Sequence, residues 1–547
     1  MMQTTNILIG GEAGQGLVTI GEVLSKCLVR SGYFIVVKQV YQSRIRGGHN
    51  TFSIRVSAEK IEAAPEKNID LLIALNKESL TLHQNELSEG GFVIADESLA
   101  PLATGKFLNT AAIGVASHVL GLDLSVVCKA LSEQFGKKDE AVAKENEDVL
   151  KKAYQWSASQ KVSVKKLSEP KKNSRRLMMN GNDCIALGAL AAGVKFCAFY
   201  PMTPSTTISL NLIKWADSAE IVVEQAEDEI SAINMAIGAS FAGATSMVAT
   251  SGGGFALMAE AVSLAGMTET PVVIVVGQRP GPATGLPTRT EQAELEFILH
   301  AGHGEFPRAV FAPGSVEECF EVAYRAFHLA EKYQGPVFLL TDQFLADSFR
   351  AVEPFKLEKY PPVIAGCRDK TVEEPYHRHA FTESGISPRL LPGLSKHLVI
   401  TDSDEHYEDG HITEDLDIRK RMVEKRLKKL EGLKTEALKP DFFGDKNPSI
   451  LFVSWGSTKG ACEEAAALIS KKGTKAASLH FSQVWPLMGN QFLDILAKAK
   501  KVISVESNAT GQFARLIRRE TGFEIKNNVS RYDGLPITPE YILKGIS

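Results

Sequence analysis

Tyr200-Pro201-Met202-Thr203-Pro204-Ser205 and Glu224-Gln225-Ala226-Glu227-Asp228-Glu229 are the two stretches on which the fold turns. Each lies where a short run of strand character, 196–199 and 221–223, gives way to a helical pattern. Strand, loop and helix in repeated order predict a parallel sheet. Its loops gather at the carboxyl edge, where open α/β sheets bind ligands. Glu229 leads into small and apolar residues, Ile230, Ala232, Ile233, Met235, Ala236, Ile237 and Gly238. Such surroundings desolvate a carboxyl and favour its acid form, which suits proton transfer. Glu227 and Asp228 need only the ordinary role of acidic residues in a first helical turn, complementing the macrodipole, and the same bland reading is open to Glu229.

The flanking loops add weight. Thr250-Ser251-Gly252-Gly253-Gly254-Phe255 follows a strand at 246–249. Three glycines let a flat cofactor approach the backbone, or simply make a tight turn. Gln278-Arg279-Pro280-Gly281-Pro282-Ala283-Thr284-Gly285-Leu286-Pro287-Thr288 follows a strand at 272–276 and carries one guanidinium, the natural clamp for a carboxylate. Thr203 adds a hydroxyl on a proline-fixed turn. Together these residues suggest a site for an acid-bearing substrate beside a planar cofactor.

The same alternation organises the rest of the 547 residues, a length that suggests three or four domains. A first unit, 1–157, has strand candidates at 6–9, 34–37, 52–56, 71–74 and 92–95. A polar linker, 158–177, ends in a basic run read as solvated. The cleaner α/β unit is 178–350, where Ser315 and Glu318 form a capping box. An irregular connecting segment, 351–446, holds a basic helix whose apolar residues Ile418, Met422, Val423, Leu427 and Leu430 would face a partner or another domain. In the same segment Asp404, His406, Asp409 and His411 read as a solvated loop before a metal site. Residues 447–547 are again α/β.

Hydrophobic content of 44%, charged content of 23% and a net charge of -4 describe an ordinary soluble protein with no pull toward nucleic acid or anionic membrane. Cysteines 27, 128, 184, 197, 319, 367 and 462 are scattered, with no C-x-x-C to hold zinc or an iron–sulfur cluster. That pattern suits a reducing cytoplasm, and neither a leader nor a membrane-length apolar run is apparent.

Near the N-terminus, Gly10-Gly11-Glu12-Ala13-Gly14-Gln15-Gly16 follows a strand and opens a helix, a place for phosphate. Its order is G-x-x-G-x-G, not the dinucleotide fingerprint. Ser43-Arg44-Ile45-Arg46-Gly47-Gly48-His49-Asn50 offers cations to a phosphate or is a surface turn joining two strands.

In combination these motifs resemble the thiamine diphosphate-dependent 2-oxoacid:ferredoxin oxidoreductases. The Tyr-Pro-x-Thr-Pro-Ser and Arg-Pro-Gly-Pro-x-Thr-Gly loops are similar to that family's substrate loops. Glu229, nine residues before Gly238, fits the family spacing of the activating glutamate, and Glu227 does not. The order of units resembles a fused γ–α subunit: γ domain, pyrimidine-binding domain, transketolase C-terminal-like domain. The stretch Gly385-Ile-Ser-Pro-Arg-Leu-Leu-Pro-Gly393 also looks like these α subunits.

The resemblance implies catalytic roles for Glu229, Thr203 and Arg279, the last two holding the 2-oxoacid carboxylate. It puts Tyr200, Pro201, Ser251, Gly252 and Gly253 on the thiamine side. Gly14, Gly16, Arg46, Gly47 and Gly48 fall on a coenzyme A side. No Gly-Asp-Gly occurs, so the diphosphate and Mg²⁺ site, and a [4Fe–4S] cluster, are expected on a β subunit. An (αβ)₂ assembly passing electrons to ferredoxin follows from the same likeness, with 2-oxoglutarate leading among substrates. Two other readings stand beside it, a non-redox transketolase-like subunit and a non-catalytic coenzyme A- or nucleotide-binding scaffold.

Overall fold

The computed structural model describes residues 3–41, 48–64, 68–135, 140–160, 167–170, 175–367, 372 and 374–546. They form two compact units. One gathers 1–180, 347–355 and 538–541, and the other gathers 181–346, 356–537 and 542–547.

The strands of the first unit are β1 (Thr4–Glu12), β2 (Phe34–Val40), β3 (His49–Ser57), β4 (Ile69–Ala74), β5 (Leu87–Ala95) and β6 (Leu177–Met179), joined by a late segment, Arg350–Val352. The second unit begins its sheet with β7 (Phe196–Phe199), β8 (Val222–Gln225), β9 (Ser246–Thr250), β10 (Val272–Gln278), β11 (Ala309–Phe311) and β12 (Pro336–Asp342). Arg350–Val352 is therefore β13. The remaining strands are β14 (Asp441–Gly444), β15 (Ile450–Trp455), β16 (Ala476–Phe481), β17 (Gln483–Trp485), β18 (Lys501–Glu506) and β19 (Asn527–Ser530).

The first sheet runs β5-β4-β1-β3-β2-β13-β6. It is mixed: β4 lies parallel to β1 and β5, while β3 is antiparallel to β1 and β2. Ile7, Ile9, Phe52, Ile54, Leu71 and Ile73 pack there with Ile20, Leu24 and Leu28 of the Leu17–Arg30 helix.

The second unit holds two sheets, β17-β11-β12-β10-β9-β7-β8 and β14-β16-β15-β18-β19. All neighbours are parallel except β17 on β11 and β14 on β16. Val248, Ile274, Val276 and Phe338 share one apolar core with Trp455, Phe481 and Phe513. Strands covered on both faces read as continuous apolar runs, which is why β9, β10 and β12 stood out in the sequence. The β8 edge is different: Val222, Glu224 and Gln225 are exposed.

Ser315 Oγ accepts from Glu318 N (3.2 Å) and Glu318 Oε2 accepts from Gly314 N (2.7 Å), capping the Val316–Tyr333 helix as its sequence predicts. The basic helix, Leu416–Thr435, departs from its expected packing. Its buried residues are Met422, Lys425, Arg426, Lys429 and Leu433, a face centred on cations. Carboxylates explain this. Lys425 Nζ and Lys429 Nζ reach Glu269 (2.5 and 2.8 Å), and Arg426 makes two bonds to Glu405 (2.9 and 2.8 Å). His406, expected in a solvated loop, is buried against His379 with ring centroids 4.0 Å apart. His379 Nδ1 lies 3.1 Å from Glu269. Among the described residues no group is arranged to hold a metal ion, and no helix is long and apolar enough to cross a membrane.

Candidate active site

Four neighbouring strands, β10-β9-β7-β8, release their loops at the same edge of the second unit's first sheet, and every predicted thiamine-side residue leaves from one of them. The order of connections reverses between β7 and β9, since the chain passes from β7 outward to β8 and back to β9. A crevice at such a switch point is the expected ligand site of an open sheet.

From β8 the chain turns through Asp228, whose side chain accepts from Ser231 N (2.7 Å) and caps the Glu229–Phe241 helix. That cap leaves Glu227 exposed and turns Glu229 inward, where it is 3% exposed. Glu229 Oε1 is buried without a hydrogen-bond partner. An unsatisfied buried carboxyl oxygen costs of order 1–3 kcal/mol or more, so Oε1 is a position suited to hydrogen-bonding a ligand.

From β9, Ser251 and the glycines begin the Gly252–Met267 helix. A Cβ on Gly254 would lie 2.5 Å from Glu229 Oε1 and 2.2 Å from Thr250 Oγ1, so only glycine admits the carboxyl there. Gly253 is exposed, with the Ala283 carbonyl 3.8 Å from where its Cβ would be. Ser251 is fully buried and its hydroxyl is also unpartnered. The first amides of this helix, a buried orphan hydroxyl and a buried orphan carboxyl thus meet in one place. That donor and acceptor set fits a polar heteroaromatic ring with both hydrogen-bonding senses.

From β10, Arg279 Nη1 donates to the Thr203 carbonyl at 2.6 Å, tying the guanidinium to the β7 loop. Burial lowers the Arg279 pKa, while Glu294 opposes the change. Gly277 allows the close approach, since a Cβ would sit 3.0 Å from Pro204. Asn182, buried, donates to the Pro204 carbonyl (2.8 Å) and Thr207 Oγ1 (2.6 Å), pinning the same loop from below. Tyr200 and Pro201 are exposed at the rim.

Sequence reasoning stopped at Thr288 and missed the next turn. Gln292, fully buried, donates to the Trp455 carbonyl (2.9 Å) and accepts from Ser507 N (2.9 Å), joining the loop to the C-terminal sheet. Glu294 lies over the start of the glycine helix: a Cβ on Gly252 would come within 2.7 Å of its Oε1. Its Oε2 is buried without a partner. Burial first, then the nearby Glu291, raise its pKa to about 8 against the pull of Arg279. The only signal in the sequence was two carboxylates flanking Gln292 just past a Pro/Gly-rich loop.

In the first unit, Gly16 takes a left-handed conformation (φ 79°) at the start of the Leu17–Arg30 helix, and Gly14 (φ 91°) faces open space. Gly10 and Gly11 belong to β1 rather than to the loop. Gly48 is also left-handed (φ 108°). Arg46 and Gly47 lie outside the described residues.

Fold and site together define an α/β subunit with a buried, unpartnered carboxyl at a sheet switch point. Residues 187–425 match the family described as "Pyruvate flavodoxin/ferredoxin oxidoreductase, thiamine diP-bdg", and residues 6–156 match "Pyruvate ferredoxin/flavodoxin oxidoreductase". The chain is 32% identical to a 2-oxoacid:ferredoxin oxidoreductase subunit alpha of Sulfolobus sp, over 97% of this chain and 94% of that one. It is 28% identical to the 2-oxoglutarate oxidoreductase subunit KorA of Mycobacterium tuberculosis, over 94% and 87%. A solved 2-oxoglutarate:ferredoxin oxidoreductase from Magnetococcus marinus, with 2-oxoglutarate, coenzyme A and succinyl-CoA bound, matches at a TM-score of 0.93 and 29% identity, over 100% of this chain and 99% of that one. The chain belongs to the 2-oxoacid:ferredoxin oxidoreductase family as an alpha subunit.

Proposed function

We propose that this chain is the pyrimidine-binding half of a 2-oxoglutarate:ferredoxin oxidoreductase that forms succinyl-CoA, CO₂ and reduced ferredoxin reversibly. The observation that carries the reading is the orphaned, buried Glu229 Oε1 beside Gly254. Glu229 would hydrogen-bond the N1′ position of the aminopyrimidine, and Ser251 and the first helix amides would meet its other edge. Thiamine diphosphate, when bound, supplies the nucleophile and electron sink that cleavage beside a ketone requires. Arg279 and the Thr203 hydroxyl hold the C1 carboxylate, a cation and a donor on one rigid turn. The acid named in the KorA relatives and in the Magnetococcus marinus structure supports 2-oxoglutarate.

A β subunit carrying the diphosphate, Mg²⁺ and [4Fe–4S] sites completes the centre in this reading, in an (αβ)₂ assembly within the cytoplasm. Exposed apolar side chains on the helices that follow β7, β8 and β9 support a partner: Trp215, Ile230 and Leu257 are 53%, 51% and 52% exposed. In the first unit, the loop of Gly14 and Gly16 with Gly48, Arg46 and Gly47 would serve coenzyme A phosphates.

The test is reconstitution with a family β subunit. Viologen reduction should require 2-oxoglutarate, coenzyme A, thiamine diphosphate and both chains, and pyruvate should be slower. Faster turnover of pyruvate would reassign the substrate, and no reduction with any 2-oxoacid would sink the reading.

A further inference from the structure

Glu294 is a second carboxyl at the candidate site, and nothing in the mechanism above uses it. Its backbone N donates to Gln278 Oε1 (3.1 Å), and Gln278 is the residue before Arg279. Gln278 is itself fixed by a bond from its Nε2 to the Thr341 carbonyl (3.2 Å). The side chain covers Gly252, with Cγ and Cδ 2.9 and 3.0 Å from where a Cβ would be. Arg279 and Glu294 sense one another electrostatically, yet the guanidinium's bond goes to Thr203 and not to this carboxylate. The carboxyl and the guanidinium are held on one frame without pairing to each other.

We propose that Glu294 is a specificity-determining residue: it brackets, with Arg279, the position of the substrate's carboxylate, and its protonation sets how much of the guanidinium's charge that carboxylate meets. The proposal rests on the reading that the site takes a 2-oxoacid. As the acid, Glu294 leaves Arg279 uncompensated and offers an O–H donor to a carboxylate oxygen. Ionised, it competes for Arg279 and repels the substrate.

The groups facing it are few. Glu291, on its own loop, raises its pKa; Arg279, on the β10 loop, lowers it. Glu229 meets the same helix start at Gly254, and Glu260, the helix's own titratable residue, lies about two turns further along. Neither shifts Glu294, and Gln512 of the Gln512–Thr521 helix meets this turn through the Ala293 carbonyl (2.8 Å) as an uncharged neighbour. With a pKa near about 8, Glu294 is neutral at pH 7 and charged by pH 9.

The experiment uses the reconstituted complex with 2-oxoglutarate and pyruvate, measuring KM and kcat separately from pH 6.5 to 9.5. In the unaltered enzyme, KM for the 2-oxoacid should rise toward tenfold per pH unit above about pH 8, with kcat changing less. In Glu294→Gln the alkaline limb should vanish, whatever KM is at pH 7. In Glu291→Gln the limb should move to lower pH, because a like charge has been removed from Glu294. A merely structural role for Glu294 would move neither limb. An alkaline limb that survives in Glu294→Gln overturns the proposal.

An infrared difference titration of the complex, unaltered minus Glu294→Gln, separates this failure from failure of the functional reading. A carboxylate band in place of an acid band at pH 7 also overturns the proposal. An acid band with no turnover of any 2-oxoacid overturns the functional reading and the substrate role with it.

Discussion

The two ends of the Gly252–Met267 helix handle buried carboxylates in opposite ways. At its start, Glu229 and Glu294 each keep an oxygen without a partner. Just past its end, Glu269 is fully buried and its oxygens receive Lys425, Lys429 and His379 (2.5, 2.8 and 3.1 Å). Burial would raise the Glu269 pKa, but Lys429 and Lys425 outweigh it and hold the carboxyl well below the usual range. Burial in turn brings Lys425 down to about 8. One end is saturated and the other is kept hungry, within a single helix. Saturation marks a structural joint, here the one that fastens the basic helix to the sheet unit. The unsatisfied end keeps hydrogen-bonding positions open, as a binding site requires.

Substitutions can break this contrast. The largest effect should come from Glu229→Ala, which should lower the turnover of the reconstituted complex at least about 100-fold while leaving its melting temperature close to unaltered. A melting temperature that collapses with activity would put Glu229 in the structural class. Gly254→Ala should act through the same carboxyl. Its new Cβ meets Glu229 Oε1 at 2.5 Å, and on the proposed role of Glu229 the displacement should cost up to about 100-fold in kcat; unchanged kcat would show that the carboxyl has room to move.

At the saturated end, Lys429→Met should cost about 3–5 kcal/mol in denaturant unfolding, because it breaks a buried ion pair from one side. Specific activity per folded molecule should stay the same. The smallest effect sharpens the comparison by pH. Unfolded, Glu294 loses its proton near the ordinary value of 4.5, whereas folded it keeps it to about 8. Between those values the folded state holds more protons, so raising pH weakens the fold. Glu294→Gln lacks this penalty. Its melting temperature relative to the unaltered chain should rise from pH 5 to pH 8 and then level off. Glu269 has the opposite sign, its stabilisation being present at neutral pH and lost as acid protonates it.

How much of this was legible in the sequence depended on whether meaning was local. Strands β9, β10 and β12 announced themselves as apolar runs because both faces are buried. Strands β6, β13, β14, β17 and β19 went unseen: each is three or four residues long, and its pairing partner is set by the fold. The β6 and β13 segments joined the first unit's sheet rather than the domain whose limits they mark.

The loops of Arg279, Thr203 and the glycines stood out because they carry distinctive chemistry at strand ends, and the fold gathers them at one sheet edge. Gln292 did not stand out, since its partners Trp455 and Ser507 lie in another part of the chain. The basic helix misled for a plain reason. Apolar periodicity assumes that the buried face is apolar, and Lys425, Arg426 and Lys429 are buried because Glu269 and Glu405 are there to receive them.

The short strand β17 has a consequence beyond the core it helps to cover. It lies antiparallel on β11 and occupies one border of the seven-stranded sheet, leaving β8 as the other. Three residues long and irregular in its register with β11, it offers a neighbouring chain a short and poor template for pairing. Three residues from the last third of the chain thus guard the longer apolar strands behind them against edge-to-edge pairing. A chain cut short before Gln483 would lose that guard and should aggregate on release from denaturant.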